Sequence, residues 1–125
     1  MTTMTVTREQ CFAQRAFKAV SDRIDGFGGS DRDKKLKEYK SFVRSFPALI
    51  QSCGLAQALA FAISKNHGDV VEDLMATLDH QGNSQDFQES VRTCQLRDYM
   101  RKSREAMDAA GWVKRYADGL IEDKE

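Results

Sequence analysis

"FPALIQSCGLAQALAFAISKN", residues 46 to 66, carries one polar side chain, Gln57, between Gly54 and Ile63, in a chain where 30% of residues are charged. At about half the ~20 apolar residues that a bilayer crossing requires, the block is too short for a membrane span. A helix over residues 55–66 would be apolar nearly all the way round, which predicts neighbours covering it on most sides. Ala56, Ala58, Ala60 and Ala62 let those neighbours approach, and Leu55, Leu59, Phe61 and Ile63 supply the filling volume. The block is read as the central element of a small helical bundle, with an exposed protein–protein surface as the second reading.

Punctuation on either side sets the neighbouring elements. Pro47 lacks an N–H and disfavours helix in the residue before it, so a helix carrying Leu36, Tyr39, Val43 and Phe46 is expected to end or kink at Phe46, with a short new turn through Leu49 and Ile50. Ser30 or Asp31 caps that helix, and Gly54 breaks the chain before the apolar block. Upstream, Thr7 opens a helix in which Ala13, Ala16, Phe17, Val20 and Ile24 form one stripe. It stops at "DGFGGSD", residues 25 to 31, a flexible connector, since no Lys-Ser or Lys-Thr pair follows to make a phosphate loop.

Downstream, "NHGD" at 66 to 69 reads as a stop at Gly68 and a new cap at Asp69, followed by a helix with Val70, Leu74 and Leu78 on one side. A turn, "HQGNSQD", leads to a short helix over 85 to 93 carrying Phe87 and Val91. The last helix, about 95 to 121, keeps Leu96, Met100, Met107, Ala110, Val113, Ala117, Leu120 and Ile121 on one stripe over roughly 40 Å. The fold class is all-α: a compact single-domain bundle of about five to six helices over residues 1–125, with Leu36, Tyr39, Val43, Leu55, Leu59, Phe61, Ile63, Met107 and Val113 in its core.

Nineteen basic and nineteen acidic residues cancel, which excludes binding of nucleic acid through net charge alone and leaves only a local patch. Cys11, Cys53 and Cys94 are odd in number and widely spaced, so reduced thiols are expected, with Cys53 packed in apolar surroundings. The amino terminus lacks the basic and apolar regions of a secretory signal, which points to a cytoplasmic chain. His67 and His80 sit at predicted helix ends and share no metal-ligand spacing with cysteine or carboxylate. Glu72, Asp73 and Asp79 are assigned to a solvated helix face. No motif of acyl transfer, metal hydrolysis or phosphate cradling is present, so neither catalysis nor a metal or cofactor is expected.

On helical wheels the basic residues fall into two tracks. Lys34, Lys37, Lys40 and Arg44 share a sector of the second helix; Arg97, Arg101, Arg104 and Arg115 share one on the last helix, with Trp112 nearby and Asp108 interrupting. Such rows suit a line of phosphates, and an indole can stack on a base. They are also how solvated helix faces ordinarily look, and Glu38 and Glu105 are placed to neutralise part of each.

Two blocks then resemble a known family. "YKSFVRSFPALIQSCGLAQALAFAISK", residues 39 to 65, is similar to the signature of the small all-helical subunit of Cmr complexes, the type III-B CRISPR effectors: a tyrosine helix, a proline, an Ile/Leu pair, then Gly-Leu and an Ala/Leu/Phe helix ending in lysine. "YMRKSREAMDAAGWVKRYADGL" is similar to that family's closing Trp-aliphatic-Lys-Arg-aromatic-Ala segment, and "QRAFKAV" at 14 to 20 fits its opening. Gly111 departs from the pattern, marking a close contact or a bend, and residues 82 to 94 match least.

The resemblance implies a non-catalytic antiviral subunit whose copies stack as a minor filament beside backbone RAMP subunits and a large polymerase-like subunit, with guide RNA and target RNA in the groove. The candidate RNA contacts are then Lys34, Lys37, Lys40, Arg44, Arg97, Arg101, Arg104, Lys114 and Arg115, with Trp112. The competing reading is a helical protein–protein adaptor that uses the apolar block and never meets RNA.

Overall fold

The computed structural model of the chain describes residues 6–122. Six helices occur among these residues, α1 (Arg8–Gly26), α2 (Arg32–Cys53), α3 (Leu55–Ser64), α4 (Gly68–Leu78), α5 (Ser84–Thr93) and α6 (Leu96–Leu120), and no strand.

Thr7 starts α1 as expected, through a capping box: its hydroxyl accepts from the Gln10 N–H at 3.0 Å and its own N–H donates to Gln10 Oε1 at 2.8 Å. The buried stripe is Phe12, Ala16 and Val20, while Phe17 is 49% exposed. α1 lies between α4 and α6. That placement turns the stripe one position from the expected one.

α2 runs through Pro47 without a break. The proline removes one backbone hydrogen bond at a cost of about 3 kcal/mol. Phe46 and Ile50, each 2% exposed on either side of it, offset that cost at roughly 1.5–3 kcal/mol apiece. Core packing therefore keeps continuous a helix that local preference would end at Phe46. The real break is Gly54, at φ 88°, where a β-carbon would also sit 3.2 Å from Tyr99 Oη. The Tyr99 hydroxyl accepts from the Ala56 N–H at 3.2 Å, serving a donor of the first turn of α3 that no side-chain cap reaches.

α3 is covered on one face only. Leu55, Ala58, Leu59 and Ala62 are buried against α2, α4 and α5, whereas Phe61 and Ile63, expected in the core, are 41% and 40% exposed. Those four buried positions follow the i, i+3, i+4, i+7 rule. The apolar outer face hid that pattern. Gly68 is the first residue of α4, not a stop; the chain reverses at Asn66, with φ 62°. The short α5 buries Phe87 and Val91 and is capped by Asn83, whose side chain accepts from the Asp86 N–H at 2.8 Å.

α6 packs antiparallel to α2 and parallel to α1, as the pairs Arg44–Asp118, Tyr99–Ala56, Arg8–Asp108 and Phe17–Tyr116 show. Its inner face is built mainly of small residues, Ala106, Ala109, Ala110, Val113 and Ala117. Leu96, Met100 and Leu120, expected on the stripe, are 73%, 51% and 41% exposed. Tyr39, Val43, Leu55, Leu59 and Val113 are buried as expected, and Leu36 and Met107 pack against the core partly exposed. Gly111 has open space where a β-carbon would stand and lies inside the continuous α6, so it marks no close contact.

Asp73, assigned to a solvated face, is 3% exposed. It accepts from Tyr39 Oη at 2.5 Å and from Arg23 at 3.0 and 3.3 Å, and Arg23 also donates to the Asp69 carbonyl at 3.2 Å. Burial pushes the Asp73 carboxyl above its ordinary value, against the hydrogen bonds from Arg23 and Tyr39 that favour its charge. Burial, then the adjacent carboxylate, pushes the Tyr39 phenol up as well. This buried network joins α1, α2 and α4.

Candidate nucleic-acid interface

The inner alanines of α6 fix the direction of its outer face. At 100° per residue, Arg97, Arg104 and Arg115 fall within about 20° of one another, opposite that inner face, and span roughly 27 Å. All three are exposed and make no ion pair among the described residues. Asp108, which interrupts the row in sequence, is engaged by Arg8 of α1. Arg101 is tied along its own helix, to Glu105 at 3.2 Å and Asp98 at 3.8 Å, so Glu105 neutralises part of the row as expected.

The α2 track divides. Lys34 and Lys37 are exposed, without an ion pair among the described residues. Lys40 is 5% exposed and donates to the Ile121 carbonyl at 2.8 Å. Arg44 donates to Asp118 at 3.1 Å. Both side chains clamp α2 to the end of α6, and Lys40 is thereby unavailable to a phosphate. They lie on the flank of α2 that meets α6; Lys37 stands about 60° and 20° round the helix from Lys40 and Arg44, and Lys34 about 120° and 80°. Antiparallel packing then sets Lys34 and Lys37 at the end of the bundle where α6 finishes, and Arg97 at the other. The two tracks do not merge into one stripe.

Lys114 and Trp112 are half-buried. The Trp112 indole stacks on Tyr116 at 6.0 Å between centroids, and Tyr116 meets Phe17 edge-on at 5.4 Å. One indole face is thus engaged within the protein. Cys53, expected to be packed, is exposed at the end of α2; Cys11 and Cys94 are partly buried, and all three thiols are unpaired.

Sequence reading missed a groove beside α2. Its cavity of about 380 Å³ is lined by Lys37, Glu38, Ser41, Phe42, Ser45 and His67. The His67 ring stacks on Phe42 at 4.2 Å with 17° between planes, and Phe61 follows at 6.2 Å from Phe42. The helical spacing of Phe42 alone carried no sign of this, because His67 and Phe61 reach it through the α3–α4 turn. Among the described residues no group of three His, Cys, Asp or Glu stands close enough to hold a metal, and no helix is long and apolar enough to cross a membrane.

The family model described as "CRISPR-associated protein (Cas_Cmr5)" matches residues 8–120. The chain belongs to the Cmr5 family. It is 34% identical over 120 residues to the CRISPR system Cmr subunit Cmr5 of Thermus thermophilus, covering 94% of this chain and 98% of that protein. The X-ray crystal structure of a CRISPR-associated Cmr5 family protein from the same organism has the same fold, with a TM-score of 0.78 at 34% identity over 94% of this chain and 100% of that one. In this Cmr5 chain the two sequence blocks that carried the resemblance meet in space: Gly54 comes from the first, Tyr99 from the second, and the hydroxyl of one occupies the position that a side chain at the other would crowd.

Proposed function

We propose that this Cmr5 chain is a non-catalytic subunit of a type III-B Cmr effector complex in the cytoplasm, where copies stack as a minor filament beside the backbone RAMP subunits and the large polymerase-like subunit and help to hold the guide–target RNA duplex. One observation carries the RNA half of this reading: Arg97, Arg104 and Arg115 line up on the outer pole of α6 with no counter-ion among the described residues, while Arg8 engages Asp108 beside them. Each copy then needs only a few phosphate contacts, because repetition along a filament multiplies weak ones. Zero formal charge suits a chain that must meet copies of itself without strong repulsion.

The adaptor reading draws on Phe61, Ile63, Leu96 and Met100, all exposed, which offer apolar surface to protein partners. Co-purification with tagged backbone RAMP subunits, followed by ultraviolet crosslinking to labelled guide RNA, separates the two. Assembly with crosslinks on α6 is expected. Assembly without any crosslink to this chain favours the adaptor, and failure of folded protein to assemble overturns the subunit reading.

A further inference from the structure

The groove beside α2 has two unlike ends. Lys37 and Phe42 stand about 140° round and about 7.5 Å along the helix from one another, with Ser41 and Glu38 between them and Ser45 about one turn beyond Phe42. At one end the Phe42 and His67 rings stack face to face, and Phe61 lies parallel to Phe42 as well, so the aromatic surface left to a ligand is the outer face of His67. At the other stands the Lys37 ammonium, which has no ion pair among the described residues. Ser45 spends its hydroxyl proton on the Phe42 carbonyl at 3.0 Å, so its oxygen faces a ligand as an acceptor. Ser41 and Glu38 make no hydrogen bond or ion pair among the described residues. A ligand that satisfies this set has a flat aromatic part whose edge carries N–H donors for Glu38, a polyhydroxyl middle and an anionic end.

From this set of groups we infer that the groove binds a nucleoside monophosphate unit, with its base extending the Phe42–His67 stack on the His67 face and its phosphate at Lys37. A cavity of about 380 Å³ falls within the roughly 300–1,000 Å³ of small-molecule sites. Base–aromatic stacking accepts any base. The Glu38 carboxylate only accepts hydrogen bonds, so it favours guanine, adenine or cytosine, whose edges carry an amino group, over uracil. The same unit can arrive as a free nucleotide or as an unpaired residue of an RNA strand. The site is distinct from the α6 arginine row and does not depend on it.

The test is amide chemical-shift titration of the full-length protein with guanosine monophosphate, ribose 5-phosphate and a short unstructured oligonucleotide. Saturable shifts confined to residues 37–45 and 61–67 are expected with guanosine monophosphate, at least tenfold weaker with ribose 5-phosphate. Lys37→Ala should weaken binding about tenfold, and Ser41→Glu should abolish it; both positions are exposed, so the fold persists. Arg97→Glu with Arg104→Glu should leave these shifts unchanged, which keeps the site separable from the duplex-holding role. If the oligonucleotide produces the same local shifts, the unit can be an RNA residue. No shift in the groove with guanosine monophosphate, equal shifts with ribose 5-phosphate, or shifts that Lys37→Ala and Ser41→Glu fail to change would each overturn the inference.

Discussion

Asp73→Ala removes the acceptor at the centre of the only carboxylate network in the described residues that reaches a fully buried tyrosine. Tyr39, 1% exposed, loses the partner of its hydroxyl, and an unsatisfied buried donor costs about 1–3 kcal/mol. Arg23, whose side chain is 27% exposed, loses its closest counter-ion. Breaking a buried pair from one side costs about 3–5 kcal/mol. The lower end applies, because Arg23 keeps the Asp69 carbonyl at 3.2 Å and Glu72 at 3.4 Å. A loss of about 3 kcal/mol is expected in urea unfolding followed by circular dichroism, with an unchanged slope. The melting temperature should fall on the order of 10 °C. Tyr39→Phe should cost less alone, and the two substitutions together should cost less than their sum by about 1 kcal/mol or more. Because the Asp73 carboxyl lies above its ordinary value of 3.8 in the folded protein, the folded chain holds more protons than the unfolded one just above that pH. The stability from this group is full below pH 3.8 and is lost as pH rises through the folded value. Asp73→Asn should remove that slope. A change under about 0.5 kcal/mol for Asp73→Ala, or strict additivity with Tyr39→Phe, would refute the network's role.

Gly54→Ala places a β-carbon at φ 88° and 3.2 Å from Tyr99 Oη; a loss of about 1–3 kcal/mol is expected, read by the same unfolding assay. Tyr99→Phe takes the acceptor from the Ala56 N–H and should cost about 1 kcal/mol, with faster hydrogen exchange at that amide. Thr7→Ala removes the capping box of α1 and should cost about 1 kcal/mol.

The residues whose roles were legible act on their own neighbourhood in the chain. Thr7 caps α1 because its hydroxyl reaches Gln10 three residues on, Gly54 breaks the chain through its own φ, and Phe87 with Val91 forms a stripe inside one short helix. The residues misread are those whose surroundings come from elsewhere. Lys40 looked like its neighbours on a wheel, yet the end of α6 closes over it and supplies a carbonyl. Asp73 looked solvated until Arg23 and Tyr39 arrive from two other helices. Pro47 marked a break that the burial of Phe46 and Ile50 overrides. In α3 composition announced burial but not its direction, so Phe61 and Ile63 went to the wrong side. Of the candidate interface, the α6 arginines share one exposed face because a long helix with an alanine inner face sets its own outer pole; the α2 track divides because α6 lies against half of it.

The salt dependence of RNA binding by the assembled complex, measured with the wild-type chain and with Arg97→Glu, Arg104→Glu and Arg115→Glu combined, tests the RNA role most directly. Each phosphate deprived of its arginine takes about 0.7–0.9 off the slope of log affinity against log salt. A slope shallower by about two per altered copy, in a complex that still assembles, is the expected result. An unchanged slope and affinity would contradict the placement of RNA along α6.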